Sequence, residues 1–263
     1  MRLGAEELKL PVAQPDNPND PAFLDELKKL KPDLGVVVSY GVILAEGLFT
    51  LPKQGMINAH ASLLPKYRGA APIEHAIRAG EKETGITIMK IAPQLDTGDV
   101  LFAEKTPIDP KENAGVLRER LAAIAGKTLV RAVQQIAAGK AKWTPQADAE
   151  ASYAPKIQKE NGVISWRLPA LEVDRIVRAY TPRPGAQTRL GSKRYIVLEG
   201  QTEPDNYGLG DPGRIQSAGE EGIRVCTGKD LYRITRIKPE NGRNMSAGEF
   251  VRGHPLAPDA RFG

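Results

Sequence analysis

The chain has 263 residues, of which 41% are hydrophobic and 26% charged, and this is the composition of a globular protein with one large domain or two smaller ones. Its apolar runs are shorter than the roughly 18 residues of a membrane span, and its first residues lack the pattern of a secretory signal. The single cysteine, Cys226, excludes an internal disulfide and a cysteine metal cluster, so we expect a cytoplasmic protein.

The positive charge is concentrated in the C-terminal part of the chain. Residues 1–155 carry 19 basic and 19 acidic side chains, whereas residues 156–263 carry 18 and 13, which accounts for the whole net charge of +5. A basic surface attracts polyanions because their counterions are released on binding. From charge alone, a nucleic-acid surface and a solvated basic face are equally good interpretations.

The first part of the chain predicts alternating helices and strands. Residues 1–8 resemble the later part of a helix, and residues 21–30 have helical spacing with Asp20 as the N-cap. The β-branched run at 34–39 is typical of a strand buried on both faces. Further elements are strands at 56–59, 85–91 and 100–102, a helix at 71–79 closed by Gly80, and a long helix from Asn113 to Gly139. The alternation predicts an α/β domain with a mostly parallel sheet.

The pattern changes after residue 143. Residues 144–160 are largely polar and lack periodicity, so we interpret them as a linker. Beyond the linker, a helix is followed by short strands that Gly and Pro punctuate, a pattern that favours a small barrel. The predicted helix covers 171–179, and the predicted strands cover 187–190, 194–198, 213–216, 223–227 and 231–237. The chain would therefore divide into domains at 1–143 and 161–263.

Two stretches, INAHASLLPKYRGAAPIEHAI and IAPQLDTGD, contain the residues that suggest chemistry. Asn58 and His60 are two positions apart at the end of a predicted strand, so their side chains point the same way. Asp96 lies in the turn that follows the next strand. An amide, an imidazole and a carboxylate together suit acyl transfer. Each residue alone has a more ordinary interpretation as a turn, a cap or a structural histidine, and their ordered combination favours catalysis.

These motifs resemble the folate-dependent formyltransferases, and among them those that act on methionyl-tRNA. The shared signature is Asn-x-His, Ser-Leu-Leu-Pro, Arg-Gly and Leu-Asp-Thr-Gly, in that order. Further matching segments lie at 153–157, 164–166, 177–180, 184–186 and 245–250. The resemblance implies an enzyme that transfers a formyl group from 10-formyltetrahydrofolate to the amino group of methionyl initiator tRNA in translation initiation, without a metal.

The resemblance also implies roles for individual residues. Asn58, His60 and Asp96 would be the catalytic set. Tyr40, Gly41, Val42 and Ile43, with the loop Ala92, Pro93, Gln94 and Leu95, would bind the folate. The substrate entrance would consist of Ser62, Leu63, Leu64, Pro65, Arg68 and Gly69. Arg68 would meet a phosphate or the methionyl end, or would pair with an acid.

The C-terminal domain would be an OB-like β-barrel that binds tRNA. The candidates for phosphate contact are Lys156, Lys159, Arg178, Arg183, Lys193, Arg194, Arg214, Arg233, Arg236 and Arg243. Because phosphate contact requires charge more than geometry, any single one of them is better explained as solvated surface.

The start of the chain departs from the resemblance. The family opens with a strand, a helix and a strand, followed by a basic loop, whereas this chain opens with a helix-like segment. We therefore expect an N-terminally shortened, mostly parallel formyltransferase-type sheet with exposed edges, and a monomer if the fold is complete. Two alternatives stay open. One is a formyltransferase acting on a nucleotide-sugar amine, and the other is a truncated folate-binding or tRNA-binding protein with little or no activity.

Overall fold

The computed structural model describes residues 2–206, 208, 210–257 and 260–263, which form two β-sheets with helices packed against them. In the N-terminal part the elements are α1 (Arg2–Glu7), α2 (Pro21–Lys29), β1 (Gly35–Val37), α3 (Glu46–Phe49), β2 (Met56–His60), α4 (Pro72–Ala79), β3 (Glu83–Lys90), β4 (Val100–Pro107) and α5 (Ala114–Ala137). In the C-terminal part they are α6 (Ala170–Tyr180), β5 (Ala186–Leu190), β6 (Lys193–Glu203), β7 (Ile215–Gly219), β8 (Gly222–Cys226), β9 (Leu231–Pro239), β10 (Met245–Ser246) and α7 (Ala247–Gly253).

The helix ends follow the predicted capping residues. The side chain of Asp20 accepts a hydrogen bond from the backbone N–H of Ala22 at the start of α2, and Asn113 accepts one from Val116 at the start of α5. Helix α4 ends at Gly80, whose φ of 74° is in the left-handed region that glycine adopts without strain. The predicted helix at 1–8 is confirmed as α1, although Met1 lies outside the described residues.

The first sheet has the strand order β1-β2-β3-β4 and is mixed, so the prediction of a mostly parallel sheet is wrong. Only β1 and β2 are parallel, while β2–β3 and β3–β4 are antiparallel. The short connection 91–99 joins β3 to β4, and a parallel pair would need a longer crossover. The prediction that the first strand is buried on both faces is also wrong. Among the described strands β1 pairs with β2 alone, and Val36 is 47% exposed at this edge.

The core lies on one face of β2 and β3. Ile57 and Ala59 of β2 belong to the same buried cluster as Ile86 and Ile88 of β3 and the inward residues of α4 and α5. Successive side chains of a strand point to opposite faces of the sheet. Asn58, which lies between Ile57 and Ala59, and the last residue of β2 therefore face the side away from the core. Packing of the core therefore determines which face of the sheet carries the polar residues.

The second sheet is antiparallel, with the order β5-β6-β9-β8-β7, and β10 pairs with β9. All five predicted strands are confirmed, whereas the sequence interpretation missed β10 and the short helices α3 and α7. The C-terminal residues connect the two edge strands, because Phe262 bridges to Leu190 of β5 and Arg261 bridges to Arg214 beside β7. This closure agrees with the predicted barrel. The fold as a whole is α/β with a second, β-rich C-terminal part.

The predicted linker runs against the N-terminal part. The backbone N–H of Arg68 donates to the carbonyl of Ser152 at 2.8 Å, and the N–H of Ala154 donates back to the Arg68 carbonyl at 2.7 Å. Helix α6 also packs against α4. The division at 143 and 160 stays a prediction. In the part of the chain that the structure describes, no helix is long and apolar enough to cross a membrane.

Candidate active site

Asn58 and His60 lie on the face of β2 that points away from the core. Asn58 is partly exposed, and its side-chain amide makes no hydrogen bond with any residue that the structure describes. His60 is buried, with 5% of its surface exposed. Because the Asn58 amide has no partner among the described residues, its NH₂ group can donate a hydrogen bond to a ligand and its oxygen can accept one.

The two ring nitrogens of His60 have different surroundings. Nε2 lies 2.8 Å from the backbone carbonyl oxygen of Tyr67. Because a carbonyl oxygen only accepts hydrogen bonds, Nε2 carries a proton. Nδ1 lies 3.6 Å from Oδ2 of Asp96. Nδ1 is therefore the ring nitrogen that can exchange a proton with this carboxylate or with a group placed between them.

The turn that carries Asp96 is held by hydrogen bonds at several points. Asp96 has a φ of 54°, and its Oδ2 accepts a hydrogen bond of 2.8 Å from the N–H of Gly69. The side-chain Nε2 of Gln146 donates to the carbonyl oxygens of Asp96 and Gly98, at 2.9 and 2.8 Å. Any Cβ on Gly98 would lie 2.0 Å from the carbonyl oxygen of Lys90, so the turn requires glycine there.

The predicted substrate loop is internally braced. The hydroxyl of Ser62 donates to the carbonyl of Lys66 at 2.6 Å. Thr87 of β3 donates to the carbonyl of Ser62 at 2.6 Å and accepts from the N–H of Leu64 at 3.1 Å. The loop also contains a cis peptide bond before Pro65. Ser62 is fully buried, so its hydroxyl shapes the loop instead of facing the surface.

Tyr67 closes this loop with a strained backbone. Its φ is 61°, and its N–H donates to the hydroxyl of Ser152 at 2.9 Å. Its phenol donates to Glu81 at 2.8 Å. Burial, and after it the Glu81 carboxylate, raises the pKa of the Tyr67 phenol well above its usual value. The phenol is therefore a hydrogen-bond donor at neutral pH, and it fixes the residue whose carbonyl accepts from His60.

Arg68 does not present its charge to a substrate in this structure. Its guanidinium is 2% exposed, donates from Nε and Nη2 to Oε1 of Gln146 at 3.0 and 2.8 Å, and pairs with Asp148 at 2.8 Å. Of the roles expected for Arg68, pairing with an acid is seen in the structure, and contact with a phosphate or the methionyl end stays a prediction. Leu63, Leu64 and Pro65 are partly exposed, and their contact with substrate stays a prediction.

The two predicted folate-binding loops approach β2 from different sides. Val37 pairs with Asn58, so the segment Tyr40, Gly41, Val42 and Ile43 leaves the sheet at the carboxyl end of β1. The second loop starts at Ile91, whose N–H donates to Met56 at 2.8 Å, and runs through Ala92, Pro93, Gln94 and Leu95 to Asp96. Ile43 is 84% exposed, and Tyr40, Val42 and Leu95 are also exposed. Their role in binding stays a prediction.

The basic candidates for tRNA contact fall into two groups. Four make ion pairs within the protein: Arg178 with Asp174, Arg194 with Glu240, Arg233 with Glu203, and Arg243 with Glu249. The other six are exposed and make no ion pair with the residues that the structure describes: Lys156, Lys159, Arg183, Lys193, Arg214 and Arg236. The second group keeps its charge available to a polyanion.

The sequence interpretation missed three residues of this site, namely Thr87, Gln146 and Ser152. Each uses its side chain to hydrogen-bond backbone groups that are distant in sequence. Thr87 had one detectable signal, because it is a polar residue within an apolar strand. Gln146 and Ser152 lie in the segment interpreted as a linker and had none.

Comparison with known proteins agrees with these features. The family model described as "Formyl transferase" matches residues 4–133, and the model described as "Formyl transferase, C-terminal domain" matches residues 156–255. The methionyl-tRNA formyltransferase of Moorella thermoacetica is 41% identical over 254 residues, which cover 97% of this chain and 81% of the relative. The enzyme of Syntrophus aciditrophicus is 39% identical, with 100% of this chain and 84% of the relative covered.

Solved structures share the fold at lower identity. HypX from Aquifex aeolicus in complex with tetrahydrofolic acid has a TM-score of 0.67 at 22% identity, over 88% of this chain and 41% of HypX. Methionyl-tRNA formyltransferase from Clostridium thermocellum has a TM-score of 0.59 at 17% identity, over 77% of this chain and 87% of that chain. Both family models and the relatives of about 40% identity show that the chain belongs to the formyl transferase family, among the methionyl-tRNA formyltransferases.

Proposed function

We propose that this protein transfers a formyl group from 10-formyltetrahydrofolate to the amino group of methionyl initiator tRNA. The observation that carries the proposal is the arrangement at the end of β2, where Asn58, whose amide makes no hydrogen bond to a described residue, is two positions before His60, and His60 pairs with Asp96. This arrangement occurs in a chain that is 41% identical to a methionyl-tRNA formyltransferase over nearly its whole length.

The chemistry requires a donor for a developing oxyanion and a route for a proton. When an amine attacks the formyl carbon, negative charge develops on the formyl oxygen, and the new C–N bond replaces the bond to the folate nitrogen. In this proposal the Asn58 amide donates to that oxygen. The attacking amine gives up a proton, which the His60 Nδ1–Asp96 Oδ2 pair accepts and returns to the leaving nitrogen, and the 3.6 Å distance between these two atoms supports that role.

Catalysis in this scheme needs no covalent intermediate on the protein. The amine is itself the nucleophile, so a serine or cysteine nucleophile has no task. Cys226 is buried in β8, within the second sheet, whereas Asn58 and His60 lie in the first. Within the described residues, no group of three or more His, Cys, Asp or Glu side chains could hold a metal ion.

The donor would bind between the two loops beside β2. A folate ring is flat and largely apolar, and these loops carry the exposed apolar side chains of Tyr40, Val42, Ile43 and Leu95, which would contact it. The Asn58 amide, which makes no hydrogen bond to a described residue, would supply a polar group. These residues fit the donor, which would bring the activated formyl group to the site.

The acceptor assignment rests on the C-terminal part of the chain. Its net positive charge, the six exposed candidate cations that make no ion pair with a described residue, and its match to the formyltransferase C-terminal domain all support binding of a polyanion. A nucleotide-sugar amine is less well supported, because the sugar 3N-formyl transferase WlaRD is 17% identical and shows the fold alone, whereas the methionyl-tRNA formyltransferase of Moorella thermoacetica is 41% identical. The cytoplasmic location and the monomeric state predicted from the sequence are part of this proposal.

The test is a comparison of acceptors with 10-formyltetrahydrofolate as the donor. Methionyl initiator tRNA, methionyl elongator tRNA, free methionine and a dTDP-linked amino sugar would be offered at equal concentrations to the full chain. The proposal predicts fastest formylation of methionyl initiator tRNA and no comparable rate with the sugar. Preferential formylation of the amino sugar would contradict it.

A further inference from the structure

The side-chain amide of Gln146 has four hydrogen bonds, which connect two parts of the candidate active site. Its Oε1 accepts from Nε and Nη2 of Arg68 at 3.0 and 2.8 Å. Its Nε2 donates to the carbonyls of Asp96 and Gly98 at 2.9 and 2.8 Å. Both donor hydrogens and both acceptor lone pairs of the amide are used, so its orientation is determined.

The turn at 95–98 needs such a restraint. Asp96 has a φ of 54°, a conformation that costs a non-glycine residue free energy unless its surroundings hold it. Gln146 holds the carbonyl group of Asp96 itself and that of Gly98, two residues further on. The Asp96 carboxylate then reaches the N–H of Gly69 at 2.8 Å and Nδ1 of His60 at 3.6 Å.

We propose that Gln146 is a positioning residue for formyl transfer. Its amide NH₂ fixes the backbone of the 95–98 turn, so the Asp96 carboxylate stays within reach of the His60 imidazole. The inference rests on the proposed function, because it takes Asp96 to act in catalysis. Gln146 itself makes no hydrogen bond with the His60 imidazole or the Asp96 carboxylate, so it acts through the backbone of the Asp96 turn.

A purely structural role for Gln146 would be to accept hydrogen bonds from the buried guanidinium of Arg68. One substitution separates this role from the positioning of Asp96. Gln146→Glu keeps an acceptor for Arg68 and adds a favourable charge, but it removes both donors to the carbonyls of Asp96 and Gly98. The matched control, Asp148→Ala, removes the ion pair of Arg68 and leaves the Gln146 donors in place. If Gln146 only solvates Arg68, kcat should fall more in Asp148→Ala than in Gln146→Glu. If Gln146 positions Asp96, kcat should fall more in Gln146→Glu.

The kinetic experiment measures kcat and KM for both substrates in the parent, Gln146→Glu, Asp148→Ala, Asp96→Asn and the Gln146→Glu/Asp96→Asn double variant. We expect Gln146→Glu to lower kcat by roughly 10- to 100-fold with each KM within about threefold, because small displacements of a catalytic group cost this much. In the Asp96→Asn background the same change should cost less than about threefold, because both residues act through one carboxylate. An undiminished kcat, or an equal loss in both backgrounds, would overturn the inference.

Hydrogen exchange supplies a readout that is independent of turnover. The N–H of Gly69 is bonded to Asp96 Oδ2, so its exchange rate reports the position of the carboxylate. We expect this exchange to be about tenfold faster in Gln146→Glu than in the parent, and unchanged in Asp148→Ala. Unchanged exchange in Gln146→Glu would overturn the inference even if the parent were inactive, whereas an inactive parent with the expected exchange would sink only the proposed function. If Gln146→Glu does not fold, Gln146→Met takes its place in both measurements. Because methionine also removes the acceptor of Arg68, it is then measured in the Arg68→Met background, where no guanidinium needs that acceptor.

Discussion

The imidazole Nδ1 of His60 lies 3.6 Å from the carboxylate Oδ2 of Asp96, and both side chains are almost entirely buried. The opposite ring nitrogen is occupied by the carbonyl of Tyr67. The imidazole is therefore oriented by two groups from two different loops. Such an orientation directs one ring nitrogen towards the carboxylate, as proton transfer in the candidate site requires.

Replacement of Asn58 tests the oxyanion donor. In Asn58→Ala we expect kcat to fall by about 10²- to 10³-fold, the cost of removing one preorganised donor, with little change in the KM for the folate. Stability should change little, because the Asn58 amide makes no hydrogen bond to any described residue. Steady-state kinetics and a thermal melt check both parts. A large loss of melting temperature would indicate a structural role for Asn58.

Gly69 tests the geometry of the substrate loop. Its φ is 119°, and a Cβ would lie 2.7 Å from the carbonyl oxygen of Ala154. We expect Gly69→Ala to lower the free energy of unfolding by about 1–3 kcal/mol, because the backbone or the facing segment must shift. We also expect a lower kcat, because the N–H of Gly69 binds Asp96.

The matched control for Gly69 is Gly126, in the middle of α5. A Cβ there meets nothing within 4 Å, so Gly126→Ala should raise the free energy of unfolding by about 0.5–1 kcal/mol. Chemical denaturation of the two variants measures both values. Equal effects of the two substitutions would contradict the steric argument.

Glu203 gives the protein a pH-dependent contribution to stability. Burial acts to raise the pKa of this carboxyl, but the hydrogen bond from Arg224 and the charges of Arg233 and Arg224 outweigh it and hold the pKa below 4.5. Because the folded pKa is the lower one, the stabilisation is complete above the unfolded pKa and is lost as the pH falls through the folded value.

We therefore expect Glu203→Gln to lower the free energy of unfolding at pH 7 by about 1 kcal/mol or less, since solvent screens the partly exposed group. The difference from the parent should shrink as the pH falls below 4.5. Denaturation curves across this range measure it. Glu83, whose ion pair with Lys105 is exposed, is the control, and Glu83→Gln should stay within about 0.5 kcal/mol of the parent at either pH. A difference for Glu203→Gln that grows towards low pH would contradict the sign of the effect.

The sequence predicted where the helices and strands lie along the chain better than it predicted whether neighbouring strands are parallel or antiparallel. Capping residues such as Asp20, Asn113 and Gly80 act locally, so the helix ends could be read from the chain. The direction of β3 depends on where α4 returns the chain, and hydrophobic periodicity does not encode this. For β4 a signal existed, because the connection 91–99 is too short for a parallel crossover.

In the candidate site, too, local patterns predicted individual residues but did not predict contacts between distant segments. The shared face of Asn58 and His60 follows from the two-residue period of a strand, and the motif resemblance indicated Asp96. The hydrogen bonds of Thr87 and Gln146 to distant carbonyls depend on the tertiary path of two loops, so no local pattern indicates their partners, although Thr87 itself is a polar residue within an apolar strand. The burial of Arg68 against Gln146 and Asp148 depends on the same tertiary path, so the motif alone did not indicate which of its expected roles the structure would show.

The measurement that tests the central claim most directly is the rate of formyl transfer from 10-formyltetrahydrofolate to methionyl initiator tRNA by the parent and by His60→Ala. Circular dichroism would establish that both proteins are folded. We predict turnover by the parent and a rate lower by about 10²- to 10⁴-fold in the variant, the range for loss of a general acid–base group. A folded parent without turnover, or a variant as fast as the parent, would contradict the account.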